Sequence, residues 1–369
     1  MILFREAARI VSEGVALGAF PGAAIEVGRA GGPRWQHTAG RLAWDGDSDE
    51  VEPSTVYDLA SLTKAIATTT LTMRAVDDGA LGLDDRVDGW LPGWRGADRA
   101  QVTVRDLLAH CSGLPAYLPF FRNCTGRAEF EPEMCSTALE YEPRTQSIYS
   151  DLGFILLGFI VEDARAKDAR ARGTREGGRG AFDPRTTLAG QFKTLASYIT
   201  PEPLCFHPPR SWRGRIAPTE HDPHRGRLLV GEVHDENAWA LGGAAGHAGL
   251  FGTAGAVGAF ARAVLRTLRG EPTLARPETF GLFIQRTGVP GSSRALGWDT
   301  MLPTSSCGAA LSPTAIGHTG FTGTSLWIDW ERDFYVVLLT NRVHPTRENE
   351  RIREVRPRLH EAIAASMGG

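Results

Sequence analysis

The β-rich runs of this 369-residue chain lie at its two ends, and the stretch between them reads as helices and loops. Residues 23–27 and 35–42 are two such runs, joined through Gly31-Gly32 as a hairpin. Residues 325–330 and 334–340 are two more, around the turn Glu331-Arg332-Asp333. A chain with no strand–helix–strand alternation does not build a doubly wound parallel sheet. The economical solution is an α/β (α+β) fold: one antiparallel sheet built from both chain ends and flanked by helices, plus a mainly helical insertion. That assigns residues 1–80 and 245–369 to an α/β catalytic domain and 81–244 to a mainly helical subdomain with irregular loops.

Helical spacing of apolar residues predicts helices over 2–17, 61–77, 152–161 and 348–365, and a further one entering near 258 and ending near Leu268. In the 61–77 segment Leu62, Ile66, Thr69, Met73 and Val76 form a buried stripe. Ala65, Ala67, Thr68 and Thr70 cover much of the rest, so this helix is expected to be enclosed on several sides, and Gly79 stops it. Thr103 is an expected N-cap for a short helix ending near His110. Residues 168–190, rich in Arg, Gly and Asp, read as an exposed loop, and 200–240 as long irregular connections.

Charge and composition exclude several function classes. A formal charge of −3 with no basic run leaves nothing to neutralise nucleic-acid phosphates. The five cysteines (111, 124, 135, 205 and 307) are odd in number and show no C-x-x-C, which argues against a disulfide framework or a zinc ribbon. The N-terminus is too short and too charged for a signal peptide, and no run of about 18 apolar residues exists to span a membrane. The expectation is a soluble cytoplasmic protein with a small-molecule or peptide substrate, no nucleic-acid or membrane partner, and no cofactor or metal. The sequence does not fix an oligomeric state.

Of the 40 basic residues only Lys64, Lys167 and Lys193 are lysines. A lysine can lose its proton in a suitable site; an arginine effectively never does. Lys64 stands in Ser61-Leu62-Thr63-Lys64 at the start of a helix, and positions i and i+3 share a face, so its amine can reach the Ser61 hydroxyl. A serine is a poor nucleophile until a base takes its proton, and a desolvated lysine has a lowered pKa and can be that base. Tyr149, in Tyr149-Ser150-Asp151, is a candidate acid/base partner. His318-Thr319-Gly320-Phe321 precedes the last hairpin, and its glycine permits close backbone approach. The Phe321 N–H can then pair with the Ser61 N–H as an oxyanion hole.

S-x-x-K near residue 60, Tyr-x-Asp near 150 and His-Thr-Gly near 320, in that order, resemble the three motifs of the serine β-lactamase and penicillin-binding-protein superfamily. The match is nearest to its class C β-lactamase-like branch and spans about residues 20–345. Asp58-Leu59-Ala60, residues 107–115 and Gly320-Phe321-Thr322-Gly323-Thr324 add to it. The resemblance implies Ser61 as acylated nucleophile, Lys64 as its proton acceptor, Tyr149 as proton relay, and Phe321, His318, Thr319 and Gly320 as oxyanion and substrate-binding positions. Asp151 replaces the asparagine of the class C enzymes, and its charge should favour protonated Lys64. His318 replaces a lysine and is mostly neutral near pH 7, which weakens carboxylate recognition there. Residues 231–238 and 246–249 are similar to a subgroup that includes proteins of cell-wall muropeptide processing.

The expected function is therefore a serine hydrolase working through an acyl-Ser61 intermediate, a peptidase or amidase on peptidoglycan-derived fragments. The alternatives are a carboxylesterase or β-lactamase on the same fold, or, in a different class, a non-catalytic penicillin-binding-like sensor. Five of the ten histidines (207, 221, 224, 234 and 247) with Asp222, Asp235 and Glu236 raise a metal hydrolase as a rival, but no H-E-x-x-H spacing supports it.

Overall fold

The structure is a computed structural model that describes residues 4–173 and 183–368. Helix α1 (Arg5–Ala16) leads into strands β1 (Gly22–Gly28) and β2 (Trp35–Gly40). The short strand β3 (Tyr57–Asp58) is followed by a π-helical segment, Lys64–Thr69, which runs directly into α2 (Thr70–Asp77). Next come α3 (Val104–Leu108), α4 (Arg127–Ser136), α5 (Asp151–Ala171) and α6 (Leu188–Ile199). Strands β4 (Leu204–Phe206), β5 (His221–Asp222) and β6 (Arg227–Leu228) precede α7 (Glu236–Ala240) and β7 (Leu250–Gly252). The chain closes with α8 (Ala254–Leu268), α9 (Pro277–Phe283), β8 (Asp299–Thr300), β9 (Ile316–Thr319), β10 (Ser325–Asp329), β11 (Phe334–Thr340) and α10 (Ile352–Met367).

The main sheet has the order β2-β1-β11-β10-β9-β8, and its pairs are antiparallel. The two chain ends meet at its centre, where Ala23 faces Thr340 and Ile25 faces Leu338. β11 is buried along its whole length because the sheet is covered on both faces, and its alternating side chains enter two different cores. Phe334, Val336 and Leu338 pack with Ile10 of α1 and Leu359 of α10. Tyr335, Val337 and Leu339 pack with Val257 and Phe260 of α8. Each such side chain contributes about 1.5–3 kcal/mol by leaving water.

The expected boundaries shift in places. The 152–161 helix extends to Ala171, because Arg165 and Arg172 reach Asp168 at 3.3 and 2.6 Å and support a charged continuation that has no apolar period. The N-terminal part of the expected 168–190 loop is thus helical, as is its end from Leu188; residues 174–182 lie outside the described residues. The 61–77 helix is not uniformly α. Its first turn is closed by tight bonds (Leu62 N–H to Leu59 O, 3.1 Å; Lys64 N–H to Ser61 O, 3.0 Å) and then widens into the π segment. Such widenings recur at functional sites. No helix among the described residues is long and apolar enough to cross a membrane.

Candidate active site

The site is built around the turn that enters the π segment. Asp58, at the end of β3, accepts hydrogen bonds from the Ala60 N–H (2.8 Å) and the His234 N–H (2.7 Å). This holds Ala60 at φ +47°, a left-handed conformation that costs a residue with a Cβ about 1 kcal/mol or more and turns Ser61 toward the cleft. The Thr63 hydroxyl donates to Ala60 O (2.6 Å) and accepts from the Leu250 N–H (3.1 Å), so the turn is pinned from both sides.

Lys64 is fully buried. Its Nζ lies 2.9 Å from Ser61 Oγ, 2.7 Å from Asp151 Oδ1 and 3.2 Å from His247 O. It also lies 4.8 Å from the centroid of the Tyr149 ring. Burial works to lower the Lys64 pKa, but the charges and hydrogen bonds of Asp151 and Tyr149 outweigh it, and the net shift is upward. The resting lysine is an ammonium. Of the two opposed effects visible in the sequence, desolvation and the Asp151 charge, the charge wins. Burial also raises the Tyr149 phenol, against the pull of Lys64. Asp151 and Tyr149 arrive together because Ser150 between them caps α5, its Oγ accepting the Gly153 N–H.

The opposite wall is the 318–324 segment. Gly320 packs so tightly on the turn before Ser61 that a Cβ there would lie 2.6 Å from Leu59 O and 3.2 Å from the Ala60 Cβ. Thr322 and Thr324 donate their hydroxyls to Asp58 O (2.8 Å) and Leu59 O (3.0 Å). Phe321 is about half exposed at the cleft mouth, stacked on His234 with ring centroids 5.7 Å apart. His318 is buried and its Nδ1 meets Thr319 O at 2.8 Å, so that nitrogen carries the proton and Nε2, which has no partner among the described residues, is a bare acceptor. Burial, then the charges of Lys64 and Arg294, hold its pKa well below the ordinary value, so the imidazole is neutral.

Ser61, Tyr149, Asp151, His318, Thr319, Gly320 and Phe321 line one cavity of about 590 Å³, with Lys64 behind it. Several groups at this cavity escaped the sequence reading. His110 accepts the Ser150 N–H on Nδ1 (3.0 Å) and packs its ring 4.7 Å from that of Tyr149. The Arg294 guanidinium lies 5.0 Å from the centroid of the Tyr149 ring. Asp235 holds His247 Nε2 at 2.8 Å. Arg342 and Arg356 bind backbone behind the 320–324 turn: Arg342 Nε donates to Phe321 O (2.8 Å), and Arg356 donates to Gly320 O (3.1 Å) and Thr324 O (2.9 Å). The similarity of residues 107–115, 231–238 and 246–249 to family segments points to some of them, and individually Asp235 and His247 stand out in the sequence only as candidate metal ligands. The histidines that suggested a metal are dispersed: His207 on Gly242 O, His234 on Glu220, His247 on Asp235. Among the described residues no cluster of three or more His, Cys, Asp or Glu is placed to hold a metal ion.

Known proteins share this arrangement of chain. A profile of the Beta-lactamase family matches residues 7–359. An Escherichia coli (strain K12) protein, provisionally named D-alanyl-D-alanine carboxypeptidase, is 31% identical over 323 residues, covering 79% of this chain and 70% of its own. Among solved structures, unliganded simvastatin synthase from Aspergillus terreus superposes with a TM-score of 0.72 at 18% identity, over 99% of this chain and 98% of that one. EstCE1, a hydrolase with promiscuous acyltransferase activity, does so with a TM-score of 0.70 at 20% identity, over 96% and 98%. The chain belongs to the Beta-lactamase family and is a serine hydrolase of the β-lactamase and D-peptidase type.

Proposed function

We propose that the protein is a carboxypeptidase that removes the C-terminal residue from D-amino-acid peptides of the peptidoglycan type, through an acyl-Ser61 intermediate. The observation that carries this reading is the pair Arg342 and Arg356. Both line the cavity beside the 320–324 turn, and among the described residues neither forms an ion pair with a carboxylate. Burial and the neighbouring charges of Arg342 and Arg353 lower the Arg356 pKa to about 10, the mark of a guanidinium that lacks its anion. Arg356 Nε is buried and among the described residues has no hydrogen-bond partner. A substrate carboxylate would supply the missing charge. The cation absent at neutral His318 is thus available from other elements. The curated relatives that carry the D-alanyl-D-alanine carboxypeptidase name point the same way.

In this reading Lys64 passes a proton to Asp151 and accepts the Ser61 proton as Oγ attacks the amide carbonyl. The Ser61 and Phe321 N–H groups receive the oxyanion. Tyr149 gives its proton to the leaving amine as the C–N bond breaks, and Lys64 restores it. Water then cleaves the ester, its proton returning to Ser61 through the same groups.

The test is a comparison of kcat/KM for a peptide ending in D-Ala-D-Ala, its C-terminal amide, a cephalosporin and short-chain esters. The carboxylate peptide is expected to exceed its amide at least about tenfold, as for a charge-assisted pair. Equal rates for acid and amide, or an ester or cephalosporin preferred over both, would overturn it.

A further inference from the structure

The segment His234-Asp235-Glu236-Asn237 ties four parts of the molecule together, and the activity described so far uses none of these residues. The His234 N–H binds Asp58. Glu236 pairs with Arg347 at 2.7 Å. Asn237 accepts the Phe121 N–H (2.9 Å) and donates to Leu118 O (2.9 Å), fixing the loop that carries Tyr117 to the cleft. Asp235 caps α7, its Oδ1 accepting the Ala238 N–H at 2.7 Å, and the same oxygen holds His247 Nε2 at 2.8 Å.

His247 leads back to Lys64. Its carbonyl is one of the oxygens around Nζ, beside Asp151 Oδ1, Ser61 Oγ and the Tyr149 hydroxyl. An amine nitrogen bonded to carbon has three remaining tetrahedral directions. To take the Ser61 proton, Nζ must aim a lone pair at Oγ and its two N–H bonds elsewhere. The His247 carbonyl, the Asp151 carboxylate and the Tyr149 hydroxyl are the acceptors within reach, and of these only the His247 carbonyl neither gains nor gives a proton in the reaction. The neighbouring residues of the 246–250 loop are also laced to the same helix: Thr68 donates to Gly246 O (2.7 Å) and Leu250 donates to Thr63 (3.1 Å). A Cβ on Gly246 would meet Phe154 O at 1.9 Å, so the loop lies flat on α5.

We infer that Asp235 and His247 are a positioning pair for this reaction: the imidazole, hooked on Asp235, fixes the peptide whose carbonyl orients the Lys64 lone pair toward Ser61. This rests on the acyl-Ser61 reading and adds a pair that reaches Lys64 through a backbone carbonyl; Asp235 also lines the cavity, so the KM readout separates positioning from substrate contact. The pair acts on the orientation of the base, so it acts on kcat and the acylation rate and not on substrate affinity.

The readouts are the rate at which a fluorophosphonate and an activated ester acylate Ser61, and kcat and KM on the preferred substrate. His247→Leu is expected to slow acylation about 10- to 100-fold with KM within about twofold. His247→Gln, whose amide nitrogen can occupy the Nε2 position, restores most of the rate. Asp235→Ser keeps a helix cap but cannot reach the ring, and so reproduces the His247→Leu loss should that variant not fold. Asp235→Asn keeps the acceptor and stays within about threefold of wild type. Wild-type acylation in His247→Leu or Asp235→Ser, a loss confined to KM, or Gln no better than Leu would overturn the inference. Absence of label at Ser61 in the wild type itself would instead overturn the acyl-serine reading beneath it.

Discussion

Lys64 Nζ and Asp151 Oδ1 stand 2.7 Å apart, the lysine wholly buried and the carboxylate facing the cleft. An ammonium cannot accept the Ser61 proton. In the proposed acyl-Ser61 mechanism the pair would solve this by internal transfer, Asp151 taking one lysine proton without any proton leaving for solvent. The wild-type rate is therefore expected to stay level through neutral pH. In Asp151→Asn burial, which lowers the lysine pKa, loses its main opponent, and the internal acceptor is gone. At pH 7 kcat/KM should fall about 10- to 100-fold, and the residual rate should climb with pH through a lysine pKa now displaced downward. Superimposable pH profiles for the two proteins would remove Asp151 from the proton path.

Charge alone does not serve at position 64. Lys64→Arg keeps the cation but cannot give up its proton, and the longer planar fork does not fit three acceptors at 2.7–3.2 Å. We expect its turnover to drop at least about 10³-fold, as for loss of a base that activates a nucleophile. Ser61→Ala should abolish turnover and the covalent mass added by a fluorophosphonate, both read by intact-protein mass spectrometry. Label retained in Ser61→Ala would place the nucleophile elsewhere.

How far these groups were legible depends on how local their partners are. The antiparallel sheet was readable because β1, β10 and β11 are dense in apolar and β-branched residues, and the turn 331–333 marks the last hairpin. Ser61 and Lys64 announce themselves because three residues on a helix put them on one side. His247 lies 183 residues beyond Lys64, and what it offers is a backbone carbonyl, which any residue carries. Arg342 and Arg356 look like many other arginines of this chain; their lack of a carboxylate is a property of packing. The raised Lys64 pKa was half visible, since Asp151 is in the motif, while the balance against burial depends on distances. The 168–190 segment departs from its expected loop at the start because arginine–aspartate pairs, not an apolar period, carry α5 to Ala171, and at the end because the apolar spacing Leu188, Phe192, Leu195 begins α6 there.

A second pH dependence concerns stability. His360, buried in α10, donates Nδ1–H to Arg356 O at 2.8 Å, and burial lowers its pKa to about 4. Unfolded, it takes up a proton near 6.5; folded, it does not until about pH 4. Its contribution is complete above pH 6.5 and drains away as pH falls toward 4, about 2 kcal/mol of it by pH 5. His110 and His318, also held well below their ordinary values by burial, add to the same acid limb. His360→Asn, which keeps the bond to Arg356 O and does not titrate, should lose about 2 kcal/mol less than wild type between pH 7 and 5 in urea titrations. Parallel losses would mean that His360 protonates equally in both states.

The wall opposite Ser61 depends on one missing methyl group. A Cβ at Gly320 would lie 2.1 Å from Thr324 Oγ1 and 2.6 Å from Leu59 O, and both neighbours are themselves fixed, Thr324 by its 3.0 Å bond to Leu59 O. Gly320→Ala must therefore push the 320–321 peptide away from the turn that carries Ser61. The distance that opens is the one across which the Phe321 and Ser61 N–H groups would share an oxyanion. Overpacking of this kind costs about 1–3 kcal/mol of stability. Loss of one oxyanion donor costs about 10²–10³ in kcat. Both effects are expected together, the first in thermal melts and the second in acylation kinetics, with substrate KM changed much less than kcat. A variant that melts early yet acylates at the wild-type rate would show that the 320–321 peptide covers the cleft without contributing to the reaction.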